Sequence, residues 1–384
     1  MTFQKQKLRI VFLIPNLQTG GAEKLVIDIV RALSKREGIE IRLVLLENKI
    51  QFDIPDILHL IRIIPGKINL SLWKKNQLNI DQFQTYLDEF EPNIIHTHLF
   101  ESEIFSRSCQ YPKANWFSHV HDFMPQLQNF SIRTITSKRL ITNLFEKYYL
   151  LKQYKKNGGN TFLTISNSVQ KYIDSVIPSK FSSKLLPNAI DISQYHVQEK
   201  QYAFDPTLIR LISVGRLDKN KNHVLLIETI KELKTRGINA YLEILGDGLE
   251  RERLEKKIQE LELEDRIKLV GKTDKVAVFL SEADIYLHSS IYEGFGLTIL
   301  EAMACGLPVI CTDGMGNRDL ILEGENGFLI TELNPIIMAD KIELLYNDHP
   351  LRMLMGEKAL KFSKNFDLEI YIDQLLRIYQ SAKL

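Results

Sequence analysis

DIYLHSSIYEGFGLTILEAMACGLPVICTD, residues 284–313, reads as a buried strand, a glycine-rich turn, a helix and a second buried strand. IYLH and PVICT are short apolar runs bounded by turn residues, and Leu297 to Ala304 begins a helix. A strand–helix–strand unit implies a parallel pair joined by a crossover. The same alternation extends backwards through LIRLISV (208–214), YLEILG (241–246) and RIKLVG (266–271). Helical segments with Lys- and Glu-rich outer faces, such as GLERERLEKKIQELE (248–262), separate these strands.

A second series fills the first half. LRIVFLI (8–14), IRLVLL (41–46), IIHTH (94–98), WFSHVH (116–121) and TFLTIS (161–166) read as strands. After the first of them, Leu25, Val26, Ile29, Val30 and Leu33 share one helical face. The stretch from Tyr195 to Pro206 lacks periodic apolar residues and reads as a linker. The expected fold is therefore α/β, with two Rossmann-like doubly wound domains. They are expected over residues 1–195 and 207–365, joined by a linker over 196–206. A helix over 366–384 either ends the second domain or crosses back onto the first.

Composition sets the outer bounds. Of 384 residues, 45% are hydrophobic and 25% charged, the mix of a globular protein. No window approaches ~18 uninterrupted apolar residues, the length of a membrane span. The opening MTFQKQKLRIVFLIPN is basic and then apolar, but its short run enters Pro15 and Asn16 without a small-residue cleavage site. It reads as a first strand and not as a signal peptide. Cys109, Cys305 and Cys311 are odd in number and show no metal spacing, so a reduced, cytoplasmic protein is expected. Residues 1–195 carry 25 Lys and Arg against 17 Asp and Glu, and the remainder 24 against 31. A basic first half and an acidic second half suit different partners.

Basic residues concentrate in 131–157. Arg133, Lys138, Arg139, Lys147, Lys152, Lys155 and Lys156 face a single acid, Glu146, among interleaved aromatic and aliphatic residues. Such a helix suits a peripheral contact with an anionic membrane surface, and a solvated basic face fits the same pattern. No recognition motif for nucleic acid accompanies it.

The chemistry concentrates in two segments. In residues 289–313, Glu293 and Glu301 flank the turn Gly294-Phe295-Gly296, and Leu297 opens the following helix. Glycines let backbone N–H groups approach a ligand, and a helix N-terminus favours phosphate. One carboxylate on either side of a diphosphate suits a nucleotide sugar, with Glu301 on the ribose and Glu293 on the hexose. In VGRLDKNKNH (214–223), Arg216 and Lys221 lie at a strand's C-terminal edge, placed to neutralise a diphosphate. Lys219 reads as solvated. A third, weaker signal is the Gly20-Gly21 turn after the first strand. Neither G-x-G-x-x-G nor the P-loop pattern accompanies it, which counts against a nicotinamide dehydrogenase and an ATPase. His96 and His98 alternate on one strand, as do His119 and His121. No Cys or carboxylate sits at a standard ligand spacing to them, and no Asp-x-Asp occurs, so no metal and no cofactor are expected. His121, before Asp122 at a strand end, is the best placed of the four to reach a ligand.

Taken together these segments resemble glycosyltransferase family 4, retaining enzymes of the GT-B fold. The resemblance spans the chain in order. It runs through GGAEK, His121–Asp122, TISNS, LPNAID, VGRLDKNKNH, Gly246-Asp247-Gly248 and Glu293 through Glu301. It implies two domains facing across a cleft. Arg216 and Lys221 would hold the donor diphosphate, Glu293 the transferred sugar and Glu301 the ribose. Backbone groups of Phe295, Gly296 and Leu297 would hold sugar and phosphates. Gly20 and Gly21 would shape the loop facing donor and acceptor, and His121 would sit close to the reacting sugar. It further implies retention, with a UDP-sugar donor favoured, GDP-mannose next, and a glycan or lipid-linked acceptor. Ala189 departs from the family's more usual glycine. A nucleotide-sugar epimerase or phosphorylase, or a non-catalytic sugar-nucleotide-binding protein, shares the architecture and is separated from this reading by assaying transfer.

Overall fold

The computed structural model describes residues 7–18, 20–66, 80–128, 138–195, 205 and 207–382, with only the backbone of 138 and 139. The linker expected over 196–206 lies, Asp205 apart, outside the described residues, as do 131–137 of the basic segment.

The chain forms two compact units. The first runs through β1 (Leu8–Ile14), α1 (Gly21–Ser34), β2 (Ile39–Leu45), β3 (Ile61–Ile63), α2 (Ile80–Phe90) and β4 (Ile94–His98). It continues with α3 (Phe100–Arg107), β5 (Asn115–Val120), α4 (Lys138–Lys156), β6 (Thr161–Thr164), α5 (Asn167–Val176) and β7 (Ser182–Leu185). The second runs through β8 (Ile209–Val214), α6 (His223–Thr235), β9 (Ala240–Leu245), α7 (Arg251–Glu260), β10 (Ile267–Gly271), α8 (Val276–Glu282) and β11 (Ile285–His288). It ends with α9 (Leu297–Ala304), β12 (Val309–Thr312), β13 (Gly327–Ile330), α10 (Pro335–Asn347) and α11 (His349–Ser363). The last helix, α12 (Leu368–Ser381), belongs to the first unit.

Each unit carries one parallel sheet among the described residues. The orders are β3-β2-β1-β4-β5-β6-β7 and β10-β9-β8-β11-β12-β13. Both are doubly wound, as the alternating strand and helix patterns imply. The order reverses between β1 and β4 in one sheet and between β8 and β11 in the other. Strands covered on both faces read as continuous apolar runs, and Ile10 to Ile14 of β1 are wholly buried. The second core gathers Leu226, Ile230, Leu242, Ile244, Met338 and Ile342 between sheet and helices.

Three short strands escape the periodicity. β3, β7 and β13 occupy sheet edges, where three or four residues suffice. The β7 sequence SSKL is polar and largely exposed, so it shows no apolar run. The boundary expected at 195 falls at Asn188. The reason is local: the Ile190 N–H donates to the Phe366 carbonyl at 3.1 Å, which ties the segment after Asn188 to the second unit. The helix expected from 366 starts at Leu368. It buries Leu368, Tyr371, Ile372, Leu375 and Tyr379, a helical stripe, in the first unit. Tyr379 OH meets His96 Nδ1 at 2.6 Å, and Arg36 reaches Glu369 at 2.5 Å.

One glycine decides how the loops after β8 and β9 meet. Gly246 has φ +133°, and a Cβ there would lie 1.9 Å from the Gly215 carbonyl oxygen. Gly246→Ala is therefore expected to destabilise the protein by about 2–3 kcal/mol. Gly215→Ala, whose Cβ would meet only side-chain atoms at 3.6 Å or beyond, is expected to melt near the wild type. Thermal melting of both variants measures the contrast.

Candidate active site

The two segments singled out in the second unit meet at the point where its strand order reverses. Arg216 and Lys221 follow β8, and Glu293 follows β11, its sheet neighbour. Open α/β sheets bind ligands outside the carboxyl ends of their strands at such a point. Lys221 Nζ lies 2.6 Å from Glu293 Oε2. His288, the last residue of β11, places Nε2 3.0 Å from the same oxygen, and Ser290 Oγ donates to it at 3.3 Å. Among the described residues, every recorded contact to this carboxylate goes to Oε2, which leaves Oε1 for a ligand.

Burial alone would raise the Glu293 pKa. The His288 hydrogen bond and the Lys221 charge outweigh it and hold the carboxyl at about 2. Burial lowers the His288 pKa against the opposing pull of Glu293, so a neutral imidazole donates its Nε2–H. The composition of the motif predicted neither His288 nor Ser290 as part of this site. Their signal was position: they end the strand that delivers Glu293.

The backbone around Glu293 is clamped. Its N–H donates to the Gly314 carbonyl at 2.8 Å, and its carbonyl accepts from the Gly316 N–H at 2.9 Å. Asn317, wholly buried, holds the facing loop by accepting from the Gly314 N–H and donating to the Thr312 carbonyl, both at 2.8 Å. Gly296 is the N-cap of α9, with φ +104°, a left-handed conformation that favours glycine. It offers no side-chain cap, and among the described residues the Leu297 and Thr298 N–H groups are left for an anion, the Ile299 N–H donating to the Gly296 carbonyl at 3.0 Å. The Phe295 ring is buried and packs on Phe366 at 5.9 Å between centroids, which fixes the turn. Gly294 is buried beside it. Glu301, in the second turn of α9, is buried. After burial, the charges of Glu301 and Glu293 both raise the pKa of Tyr286, whose hydroxyl donates to Thr298 Oγ1 at 2.7 Å. Both carboxylates thus act on one end of β11. Arg216 is different: its side chain is 77% exposed and, among the described residues, reaches only Asp218, at 3.4 Å.

In the first unit, Gly20 caps α1 and Gly21 opens it, beyond the C-terminal end of β1. His96 and His98 on β4 and His119 on β5 share one sheet face with His121, just past β5. The four rings stack, with centroids 4.4 Å apart for His96–His98 and 4.5 Å for His119–His121. His98 Nδ1 meets His121 Nε2 at 2.8 Å, and His119 Nδ1 meets His96 Nε2 at 3.2 Å. Burial lowers the pKa of all four, to about 3 for His96 and His121. His96, His98 and His119 bring ring nitrogens within 4.8 Å of one another. One ion would need three in-plane lone pairs to converge. These three rings lie 6 to 26° from parallel, and both nitrogens of His96 already take part in hydrogen bonds. Their geometry is that of a hydrogen-bonded stack. His121 is half-buried and lines a cavity of about 230 Å³ with Phe100, His119, Asp122, Phe123 and Met124.

The architecture and the relatives of this chain define a glycosyltransferase of the GT-B fold. Anabaena HepE, solved in complex with UDP and glucose, superposes with a TM-score of 0.76 at 19% identity, covering 97% of this chain and 100% of that one. The family model described as glycosyl transferases group 1 matches residues 196–362. An N-acetylgalactosamine-N,N'-diacetylbacillosaminyl-diphospho-undecaprenol 4-alpha-N-acetylgalactosaminyltransferase from Campylobacter jejuni is 30% identical over 94% of this chain and 96% of its own length. An N-acetyl-alpha-D-glucosaminyl L-malate synthase from Bacillus anthracis is 32% identical over 75% of this chain and 74% of its own. The chain belongs to the group 1 glycosyl transferases, of the family 4 type.

Lys221→Met strands a mostly buried carboxylate. It is expected to destabilise the protein by about 2–3 kcal/mol at pH 7. Glu293 is ionised in the wild type down to about pH 2, against an ordinary 4.5, so its contribution is complete above about 4.5 and lost as pH falls towards 2. In the variant the stranded carboxylate is relieved by protonation, so the deficit should narrow below about pH 4.5. Denaturant unfolding of both proteins across pH measures it.

Proposed function

We propose that this glycosyltransferase is retaining and metal-independent. It takes a sugar from a nucleoside-diphosphate sugar, a UDP-sugar in preference to GDP-mannose, and delivers it to a glycan or lipid-linked acceptor. The observation that carries the reading is the Lys221–Glu293–His288 cluster beside the uncapped start of α9. The UDP in HepE and the undecaprenol-linked substrate named for the Campylobacter relative support the choice of donor and acceptor.

When the sugar–phosphate bond breaks, positive charge develops on the ring and negative charge on the diphosphate. Lys221, Arg216 and the N–H groups of α9 stabilise the leaving group. The Lys221 ammonium has three N–H donors, so it can keep Glu293 and still bind a phosphate oxygen. Glu293, held ionised, accepts from sugar hydroxyls through Oε1, and Glu301 takes the ribose. With retention, the acceptor hydroxyl attacks the face that the diphosphate leaves, and the departing phosphate takes its proton. His121 supplies a hydrogen bond to the substrate. In transfer assays over a nucleotide-sugar panel, Glu293→Gln is expected to lower kcat by about 10²-fold with the donor KM little changed. Glu301→Gln is expected to raise the donor KM by about tenfold, one hydrogen bond's worth. Wild-type activity should persist in EDTA. Unaltered kinetics in both variants would overturn the donor assignment, and a loss restored by Mg²⁺ or Mn²⁺ would overturn the metal-free chemistry.

The acceptor reading extends to a membrane surface through α4. No helix among the described residues is long and apolar enough to cross a membrane. On α4, exposed Ile141, Leu144 and Tyr148 continue into exposed Lys152 and Lys155 along one stripe. Glu146, the segment's acid, is buried on another face, with its pKa raised to about 7 by burial and by Glu101. The stripe is thus apolar and then basic. Replacing Lys138, Arg139, Lys152, Lys155 and Lys156 with Gln is expected to weaken sedimentation with anionic vesicles, each cation contributing about 1 kcal/mol at low salt. Transfer to a short soluble acceptor should be unchanged. A wild type that ignores anionic vesicles at low salt would remove the membrane from the reading.

A further inference from the structure

We propose that His98 is a positioning residue that fixes the tautomer of His121, making His121 a hydrogen-bond donor through Nδ1 and denying it the role of a base. The proposal deepens the reading of His121 as a substrate contact.

The starting point is the 2.8 Å contact between His98 Nδ1 and His121 Nε2. Two neutral imidazoles can share one proton across it in two ways. If His98 Nδ1–H donates, His98 Nε2 is a bare lone pair and His121 carries its proton on Nδ1. If His121 Nε2–H donates, His98 must carry its own proton on Nε2, and His121 Nδ1 is bare. The two arrangements differ at the far end of His98. That ring is wholly buried, and its Nε2 has no hydrogen-bond partner among the described residues. A buried N–H without an acceptor is the rarer and costlier fault, whereas an unused lone pair is tolerated more readily. The first arrangement therefore wins, and burial keeps both rings neutral.

The consequence falls on His121. Its Nε2 is occupied by the bond it accepts from His98. Its Nδ1 carries a proton, and no described residue is recorded as bonding it. The ring lines the 230 Å³ cavity, while His98 does not. The group His121 offers is thus an N–H. It can donate to a sugar or phosphate oxygen, and it has no lone pair free to take a proton from an acceptor hydroxyl. Stacking on His119, with planes 9° apart, and the hydrogen bond to His98 hold the ring from two directions.

The test uses the full chain labelled with ¹⁵N at histidine. Its nine histidines are assigned with His121→Gln and His98→Leu variants, and the ring-nitrogen shifts of His121 are read without substrate. The expected signature is a protonated Nδ1 and a bare Nε2. A protonated Nε2 in the wild type would overturn the proposal whatever the activity. His98→Asn, whose amide can donate in place of Nδ1–H, should keep both the signature and turnover. His98→Leu should lower kcat by about tenfold with the donor KM unchanged, the value of one hydrogen bond made in the transition state. Wild-type turnover in His98→Leu would overturn the positioning role. If the wild type transfers no sugar, the functional reading fails, while the tautomer is still decided by the spectrum.

Discussion

The pairing of β8 with β11, Leu211 opposite Ile285 and Ile212 opposite Tyr286, is the contact on which the second unit's site depends. Parallel strands cannot be joined by a tight turn, so each needs a crossover. The crossover sends β9 and β10 to one side of β8, and β11 onwards to the other. The carboxyl ends of β8 and β11 are left adjacent, with their following loops free to converge. Lys221 and Glu293, 72 positions apart in sequence, meet because of that pairing.

Electrostatics then set what the meeting can do. A lone carboxylate as buried as Glu293 would tend to take up a proton. Lys221 on one side and the His288 N–H on the other keep it charged without making His288 cationic. The site therefore holds a fixed anion, a cation with donors to spare and a set of helix-start N–H groups. All are in place before a ligand arrives, the condition under which such groups stabilise developing charge most.

The first unit solves a different problem with similar means. Its four stacked histidines are kept neutral by burial and ordered by hydrogen bonds between rings. Beneath them lies a buried polar network. Ser118 Oγ donates to Glu103 at 2.7 Å, and Arg107 pairs with Glu103 at 3.1 Å while its guanidinium lies over Trp116 at 4.2 Å. A buried charge survives there because each partner satisfies the other. Helix α12 closes the stack through Tyr379, which makes the chain's far end part of the first unit's core.

The sequence by itself determined the two doubly wound units. Their long strands are buried on both faces and so spell continuous apolar runs, from LRIVFLI to PVICT. It also determined the glycine-rich turn before α9 and singled out Lys221 and Glu293 separately, each after a strand end, whereas their meeting followed from the pairing of β8 with β11. The edge strands β3, β7 and β13 were not legible: SSKL of β7 is polar, and the three or four residues of β3 and β13 are too few to show a period. Nor was the unit to which α12 belongs, which rests on contacts such as Tyr379 with His96, 283 positions apart. Only the tertiary structure decided that His288 orients Glu293 and that His98 meets His121. A histidine in a strand is spelled the same way whether it fills the core or aims a neighbour, and the difference lies in which nitrogen finds a partner across the sheet.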